Sequence, residues 1–423
     1  MKERSRPSHI DFDKSRVARD PQSGILVGNR NMPKEQVSVS KRRTTLVYLS
    51  MANIPSKSAN SIQTMKMAEA MAQVYQPFIL ITSGFVWVKG RNKVCLRDWY
   101  GVKKLPKILR IPSSLLGAYP FKLNSKPSAM FLAICFFYLI VRRDYLVYTR
   151  AESLLRWCSV FRIPLVFEAH LEPNLSDDQL RKFIEGNAAL KGVVAISPRL
   201  AKTYKKYLPE SRVLHLEDGV DPTLYDGLPG KEELRNELGI DVHSYSRLAV
   251  FTGHLYPDRG IETIIAAAAE LPKVFFLLIG GWHQDVEAWE GRAEKQSITN
   301  IQFRGFRPHS EIPRYQKAAD ILLMPYSSSL NIAKIFSSLK LFEYMASGTP
   351  IIASNLPRVC EVLPGDQGYL IKPDDVSGLT KAVGAIDSDY DEALERARRA
   401  RIAVVQYSWQ SRARHIVKTF LNS

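Results

Sequence analysis

From residue 45 onward, short apolar runs alternate with longer stretches in which apolar residues recur every three or four positions. The short runs predict buried β-strands, and the longer stretches predict amphipathic helices. In the first half of the chain a helix is predicted over Ser61–Val74, and strands are predicted at Leu46–Ser50, Phe78–Thr82, Tyr145–Tyr148, Leu165–Glu168 and Val193–Ile196. Strands and helices that alternate in this way form parallel sheets covered by helices on both faces.

The same pattern begins again in the second half. A helix is predicted over Ile261–Glu270, and strands are predicted at Leu248–Gly253, Val274–Gly280, Asp320–Met324 and Pro350–Ala353. At 423 residues the chain is also too long for one ordinary core. We therefore predict an α/β fold with two Rossmann-like, doubly wound domains that face each other across a cleft, with ligands beyond the carboxyl ends of the strands.

The predicted domain limits follow changes in composition. Residues 1–44 are polar and basic and show neither period, which predicts a disordered basic arm. Residues 45–225 form the predicted N-terminal domain and residues 247–406 the predicted C-terminal domain. Residues 226–246 lie between them and are rich in glycine, proline and charge, which is typical of a linker region.

The formal net charge of +17 restricts the partners that the chain would attract. Nucleic acid, anionic lipid and polyanionic substrates all fit such a charge, as does general solubility without a specific partner. Zinc-finger, RNA-recognition and helix-turn-helix patterns are missing from the sequence, so we expect no nucleic-acid partner. The four cysteines are scattered without metal-ligand spacing, and the start of the chain lacks an apolar signal core. These features predict no metal site and a cytoplasmic location.

An apolar segment at Ala129–Val141 leaves two interpretations open. It is too short to span a bilayer, which needs about 20 residues. The favoured interpretation is a buried helix of the N-terminal domain. The alternative is a helix that dips into a membrane surface, with Arg142 and Arg143 at the level of the lipid head groups.

The segment from Phe336 to Ser354 predicts a loop, a short amphipathic helix and a buried strand. A helix start offers unpaired N–H groups and the positive end of the helix dipole to a phosphate. Lys340 adds a positive charge beside that position, and Glu343 offers two oxygens that suit the vicinal hydroxyls of a ribose. The segment therefore predicts a receptor for the diphosphate and ribose of an activated sugar, although any amphipathic helix could carry Lys and Glu at this spacing.

This segment resembles the nucleotide-sugar site of the family 4 retaining glycosyltransferases, which have the two-domain glycosyltransferase B fold. Ser337–Glu343 looks closer to a branch with a Ser-Pro-Leu-Lys-Leu-Phe-Glu-like motif than to the common family pattern. The resemblance runs from about Thr45 to Phe420. It implies that Glu343 binds the donor ribose and that the loop and helix start hold the diphosphate through Ser338, Leu339, Lys340 and Leu341. The second glutamate of the common family pattern is replaced by Ile335, so no catalytic role is assigned there.

A second loop of the C-terminal domain, from Gly253 to Gly260, joins a predicted strand to a predicted helix. Its glycines allow close approach of the backbone to a ligand, and Arg259 could neutralise a diphosphate or simply begin the helix at the surface. The resemblance implies that Arg259 stands at a diphosphate-binding Lys position and that His254 stands at an Arg position. Because a neutral imidazole binds phosphate less well than a guanidinium, Lys340 is expected to carry more of this contact.

Three further positions complete the predicted site. His170 ends a strand at the cleft edge, where it could bind a sugar hydroxyl or serve a structural role; the resemblance implies that it lies against the donor sugar and is needed for turnover. Gly281 closes a strand where a base or ribose could pass near the backbone. The loop that carries Pro55, Ala59 and Asn60 corresponds to the family's mobile loop over donor and acceptor, without its usual glycine pair.

The resemblance also concerns the connection between the domains. Residues 407–423 match the last helix of the family, which crosses back to the N-terminal domain. Asp218 replaces the Asn of a hinge-proximal Asn-Gly-Val-Asp motif, and we interpret this motif mainly as a turn.

Together these features predict a retaining transfer of a hexose from a UDP- or GDP-sugar to an acceptor hydroxyl. Lys340, Arg259 and His170 are the predicted catalytic residues, and no metal or other cofactor is expected. The predicted acceptor is a saccharide or lipid-linked saccharide in surface polysaccharide or glycolipid synthesis, with an anionic membrane surface at the inner face of the cell membrane as a further partner. The alternatives are a nucleotide-sugar epimerase of the same fold and a binding partner with decayed catalysis, the latter suggested by His254 and Ile335.

Overall fold

The computed structural model describes residues 44–83, 95–111, 129–141 and 144–421. Within these ranges two parallel sheets form the framework of the molecule. The predicted disordered arm lies outside the described residues, apart from residue 44.

The first sheet has seven strands in the described part of the chain, in the spatial order β3-β2-β1-β4-β5-β6-β7, and all its neighbouring pairs are parallel. Its strands are β1 Thr45–Asn53, β2 Phe78–Ser83, β3 Ile108–Ile111, β4 Tyr145–Thr149, β5 Leu165–Ala169, β6 Leu190–Ala195 and β7 Val213–His215. Every residue of β2, β4 and β5 is buried, as expected for strands covered on both faces.

Helices cover this sheet and define the N-lobe together with it. They are α1 Ala59–Val74, α2 Leu96–Tyr100, α3 Ala129–Val141, α4 Ser153–Val160, α5 Asp177–Leu180 and α6 Pro198–Tyr204. The Ser58 hydroxyl caps α1 by accepting a hydrogen bond from the Ser61 N–H, so the loop before the helix ends at Ser58. Ala59 and Asn60, which were predicted to lie in this loop, are the first two residues of α1.

The C-lobe contains the second sheet, with six parallel strands among the described residues in the order β10-β9-β8-β11-β12-β13. These strands are β8 Arg247–Thr252, β9 Val274–Ile279, β10 Ile301–Phe303, β11 Ile321–Met324, β12 Ile351–Ser354 and β13 Tyr369–Ile371. Its helices are α7 Lys231–Glu237, α8 Ile261–Glu270, α9 His283–Lys295, α10 Ile312–Ala318, α11 Leu339–Ser347, α12 Pro357–Val362, α13 Val376–Ser388 and α14 Tyr390–Ala403.

The last described helix, α15 Trp409–Phe420, belongs to the N-lobe. Its apolar face, with Trp409, Ile416 and Phe420, is part of the same buried cluster as α1 and strands β1 and β2. The chain passes between the lobes at two adjacent points, because the Val220 N–H donates to the Tyr407 carbonyl at 2.9 Å and the Trp409 N–H donates to the Val220 carbonyl at 3.2 Å. The two segments that connect the lobes are therefore hydrogen-bonded to each other.

Helix α3 is packed on one side. Phe131, Cys135 and Leu139 are fully buried in the N-lobe core, whereas Phe137 is 71% exposed and Val141 is 67% exposed. The apolar segment is therefore a helix with a buried face and an apolar outer face. Among the described residues, no helix combines the length and the apolar character that crossing a bilayer requires.

Candidate active site

A cavity of about 500 Å³ lies between the lobes, at the carboxyl ends of strands from both sheets. Most of the residues predicted from the sequence line this cavity, namely Ala59, Asn60, His170, Gly253, His254, Arg259, Gly281, Ser338, Leu339, Lys340 and Glu343. Two predicted residues lie elsewhere. Pro55 is exposed at the start of the loop at residues 55–58. Leu341 is buried in the C-lobe core, and its N–H is bonded to the Ser338 carbonyl and hydroxyl.

The start of α11 faces the cavity. The Ser338 hydroxyl accepts a hydrogen bond from the Leu341 N–H at 3.3 Å and so caps the helix. Leu339 and Lys340 are the first two helical residues, and the N–H groups at such positions lack acceptors within their helix. The helix start therefore offers donors and a positive dipole end to an anion in the cavity.

The Lys340 ammonium is the most unusual charge in the site. Its Nζ atom is shielded from solvent and has no hydrogen-bond partner within the described ranges. It lies 3.5 Å from the centre of the Phe251 ring and 5.1 Å from the centre of the Tyr326 ring. Burial, followed by the charge of Arg259, lowers the pKa of Lys340 well below its usual value. A buried, unpaired ammonium is costly, so this position favours an anionic ligand.

Arg259 adds a second cation beside this position. It ends a 3₁₀ turn, Pro257–Arg259, and its guanidinium lies 5.0 Å from the centre of the Tyr326 ring. The turn is fixed by Gly260, whose φ of +75° leads into α8. A β-carbon at Gly260 would lie 1.7 Å from the Pro325 carbonyl oxygen, so only glycine fits here.

His254 lies in an aromatic stack at the edge of the cavity. Its ring is stacked on Tyr256, with centres 5.0 Å apart, and on Trp282, with centres 5.9 Å apart. Burial, followed by the charges of Lys340 and Arg259, lowers the pKa of His254. The imidazole is therefore neutral near neutral pH and adds no positive charge to this corner.

The N-lobe contributes a buried polar cluster around His170. Its Nε2 atom is hydrogen-bonded to Glu168, and Arg412 of α15 forms an ion pair with Glu168 at 3.0 Å. Gln63 of α1 donates a hydrogen bond to Asp218. Burial, followed by the charge of Arg150, lowers the pKa of His170 to about 4, so the ring is neutral near neutral pH.

The same cluster contains a set of groups with metal-ligand spacing. Single atoms of Glu168, His170 and Asp218 lie within 4.8 Å of one another. Arg412 and Gln63 already pair with the two carboxylates, and a cation beside them would meet the guanidinium charge. Burial raises the pKa of Asp218 to about 7, which further reduces its charge as a ligand. The cluster is better suited to this internal ion pair and hydrogen bonding than to metal binding.

Glu343 lies one turn after Lys340 on α11 and is paired with a residue that the sequence analysis missed. Its Oε1 atom lies 2.7 Å from His309 Nε2. His309 follows the carboxyl end of β10, which is the position where doubly wound sheets place ligand-binding residues. That position would have been a signal for His309 only if β10 had been recognised, and this three-residue strand lacks a clear apolar run.

The lobes touch across the cavity in this structure. The Trp99 ring of α2 lies 5.1 Å from the Phe306 ring of the C-lobe, and Lys57 Nζ lies 4.5 Å from the same Phe306 ring. The loop at residues 55–58 thus reaches the opposite lobe through Lys57. Ile335 is 8% exposed and packs with the N-lobe core, so it presents no polar group to the cavity.

Comparison with known proteins finds a family match within the C-lobe. Residues 246–389 match the family described as glycosyl transferases group 1. Over 242 residues the chain is 28% identical to the putative teichuronic acid biosynthesis glycosyltransferase TuaH of Bacillus subtilis, an alignment that covers 53% of this chain and 55% of TuaH. The chain spans about half the length of the first curated relatives that it matches.

Solved structures match over nearly the whole chain. A sucrose-phosphate synthase from Thermosynechococcus elongatus superimposes with a TM-score of 0.67 and 18% identity, and the alignment covers 89% of this chain and 98% of that one. Anabaena HepE in complex with UDP-glucose gives a TM-score of 0.66 and 20% identity, with 90% and 100% of the two chains covered. At these identities the likeness concerns the fold alone. Together with the two parallel sheets, it confirms the predicted α/β fold of two Rossmann-like domains, the glycosyltransferase B fold.

Proposed function

We propose that this chain transfers a hexose from a UDP- or GDP-sugar to an acceptor hydroxyl, with retention of configuration at the anomeric carbon. The observation that carries the proposal is the buried, unpaired Lys340 ammonium, which lies beside Arg259 and the start of α11 in the interlobe cavity. The match of residues 246–389 to glycosyl transferases group 1 supports the same reaction class.

The donor is expected to lie with its diphosphate at this positively charged corner. Lys340, Arg259 and the first N–H groups of α11 are the groups that would bind the phosphate oxygens. Negative charge grows on the leaving diphosphate as the glycosidic bond breaks, so these groups bind the transition state more strongly than the ground state. Glu343, one helical turn away, is the proposed acceptor for the ribose hydroxyls.

The sugar would then extend from the diphosphate towards the N-lobe, where His170 lines the cavity. A neutral His170 is suited to a hydrogen bond with a sugar hydroxyl near the reacting carbon. The loop that carries Lys57 reaches the opposite lobe and would help to exclude water from the donor.

Retention is proposed to proceed by displacement on the same face, without a covalent sugar–enzyme intermediate. Within the described ranges, the carboxylates that line the cavity are Asp218 and Glu343. Burial raises the pKa of Asp218 to about 7, and a protonated carboxyl is a poor nucleophile. Glu343 is hydrogen-bonded to His309 and is proposed to bind ribose. Neither carboxyl is free to attack the anomeric carbon.

The proposed acceptor is a saccharide or a lipid-linked saccharide, and the proposed setting is surface polysaccharide or glycolipid synthesis. The name of the similar protein TuaH, which refers to teichuronic acid biosynthesis, supports a polysaccharide. The net charge of +17 and the exposed apolar face of α3 support an anionic membrane surface as a partner. Binding to anionic vesicles that falls steeply with salt would support this surface, and absent or salt-independent binding would contradict it.

Product analysis with labelled donors tests the reaction. The purified protein is incubated with UDP- and GDP-hexoses and a pool of saccharide and lipid-linked acceptors, and the products are separated and assigned by NMR. We expect a new glycoside whose anomeric configuration equals that of the donor. A free sugar with changed stereochemistry would indicate the epimerase, an inverted glycoside would overturn retention, and tight donor binding without any product would indicate a binding partner with decayed catalysis.

A further inference from the structure

His309 makes two separate contacts, one with the proposed ribose site and one with the opposite lobe. Its side chain reaches Glu343, with 2.7 Å between Nε2 and Oε1. Its backbone N–H donates a hydrogen bond to the carbonyl of Trp99 in the N-lobe, at 2.9 Å. A single residue thus touches the candidate ribose-binding carboxylate and the facing lobe.

The side-chain contact has a definite chemistry. Glu343 can only accept hydrogen bonds when it is ionised, so Nε2 of His309 donates and carries the proton. This bond occupies one lone pair of the carboxylate and limits rotation of its side chain, while the remaining lone pairs stay available to hydroxyl groups. The second ring nitrogen of His309, Nδ1, is shielded from solvent and has no hydrogen-bond partner in the part of the chain that the structure describes.

The backbone contact depends on how the lobes meet. The Trp99 ring packs against Phe306, three residues before His309, and the Trp99 indole N–H donates to the Ser56 carbonyl at 3.1 Å. Gly101 also approaches the backbone of Ser310, since a β-carbon at Gly101 would lie 3.2 Å from the Ser310 α-carbon. The loop that carries His309 is therefore held from the N-lobe side, whereas Glu343 is held by a helix of the C-lobe.

We propose that His309 is a positioning residue that holds the Glu343 carboxylate in its ribose-binding orientation when the lobes are in contact. The inference rests on the proposed nucleotide-sugar function and deepens it: recognition of the ribose hydroxyls is linked to closure of the cleft. A donor with both ribose hydroxyls would bind better to the closed lobes than to open ones, and by thermodynamic linkage it would favour closure.

A purely structural His309–Glu343 pair would behave differently. Its removal would disturb the cavity for every nucleotide, whether or not the nucleotide carries ribose hydroxyls. A pair that orients Glu343 for ribose affects only those ligands that use the hydroxyls. The comparison of a ribonucleotide with its dideoxy analogue therefore separates the two roles.

The test measures the dissociation constants of UDP and 2′,3′-dideoxy-UDP by calorimetry, with the guanine pair used instead if the wild-type protein prefers GDP. His309→Phe keeps a ring but removes the donor, His309→Gln retains an N–H donor, and His243→Ala changes an exposed histidine outside the cavity as a control. We expect His309→Phe to weaken UDP binding about tenfold, which is the scale of one hydrogen bond to a charged group. Binding of the dideoxy analogue should weaken less than about twofold. His309→Gln should recover most of the loss, and His243→Ala should match the wild type.

Two further variants test the linkage. In a double-mutant cycle, His309→Phe should add little to the loss already caused by Glu343→Gln, because both remove the same ribose contact. Trp99→Ala removes the ring that packs on Phe306, and we expect the same selective loss for UDP.

The possible results separate a positioning role from a purely structural one. Equal losses for UDP and the dideoxy analogue, or no loss in His309→Phe, would overturn the positioning role, and a Trp99→Ala variant that weakens both ligands equally would overturn the link to lobe contact. A wild-type protein that binds neither UDP nor GDP would instead overturn the proposed function itself, and this inference with it.

Discussion

Replacing Lys340 with methionine should change folding stability and nucleotide binding in opposite directions. Methionine has a similar length and no charge, so it keeps the contacts with Phe251 while removing the buried ammonium. The wild-type ammonium has no hydrogen-bond partner among the described residues, and its burial lowers its pKa. Removing this uncompensated group should stabilise the protein by about 1–3 kcal/mol, which corresponds to roughly 2–4 °C in Tm per kcal/mol for a domain of this size.

The expected loss in binding follows from the charge that the ligand brings. Two unit charges about 4 Å apart interact by about 4 kcal/mol at an effective dielectric constant of about 20, and part of this is offset by desolvation. We therefore expect Lys340→Met to weaken UDP binding by about 2–4 kcal/mol, which is a roughly 30- to 1,000-fold loss of affinity. Uridine, which lacks the diphosphate, should bind both proteins almost equally.

The assay combines thermal unfolding with calorimetric titration of uridine, UMP and UDP. Lys334→Met provides the matched control, because Lys334 is exposed in the loop that precedes α11 and does not line the cavity. Unchanged UDP affinity in Lys340→Met, or an equally large loss for uridine, would refute the assignment of Lys340 to the diphosphate. A lower Tm would refute the argument that its burial is costly.

Three further results are expected. Burial raises the pKa of Asp218 from 3.8 to about 7, so between these pH values the unfolded chain releases a proton that the folded protein keeps, and the free energy of unfolding falls as pH rises. The stability that Asp218→Asn gains in urea unfolding should therefore grow from about pH 4 to about pH 7 and then stay constant. A pH-independent difference between the two proteins would contradict this. Gly260→Ala should destabilise the protein by about 3 kcal/mol or more in chemical denaturation, because its β-carbon would meet the Pro325 carbonyl. Gly227→Ala, at a similar positive φ but in open space, should cost only about 1 kcal/mol. Equal losses in the two variants would argue against the close contact. The negative charge of UDP should raise the lowered pKa of Lys340, so UDP binding should take up protons and weaken with increasing pH. Calorimetry in two buffers of different ionisation enthalpy measures this proton uptake, and proton release would contradict the expectation.

The central strands of both sheets were predictable because burial on both faces requires continuous apolar runs. The predicted strands Phe78–Thr82 and Val274–Gly280 agree with the observed ones to within one residue at each end. The edge strands β3, β7, β10 and β13 were not predicted. They contain three or four residues and are only partly buried, so their sequences lack a recognisable apolar run.

The site was predictable where one local segment supplies both the helix start and its charged side chains. Lys340 and Glu343 are one turn apart, and the structure places both at the cavity. The partners of the predicted residues were missed because they come from distant parts of the chain. Glu168, the partner of the predicted His170, is reached by Arg412 from the last described helix, and Glu343 is reached by His309 from a separate loop. Sequence spacing carries no signal for such contacts.

We propose that the two lobes hold a nucleoside diphosphate sugar between them, with the diphosphate at Lys340 and Arg259. A crystal structure of the protein with UDP or GDP tests it most directly. We expect phosphate oxygens within about 3 Å of the Lys340 ammonium and the Arg259 guanidinium, and ribose hydroxyls hydrogen-bonded to Glu343. A nucleotide bound outside the interlobe cavity, or one that lies in the cavity with its phosphates away from Lys340, would overturn the proposed donor site.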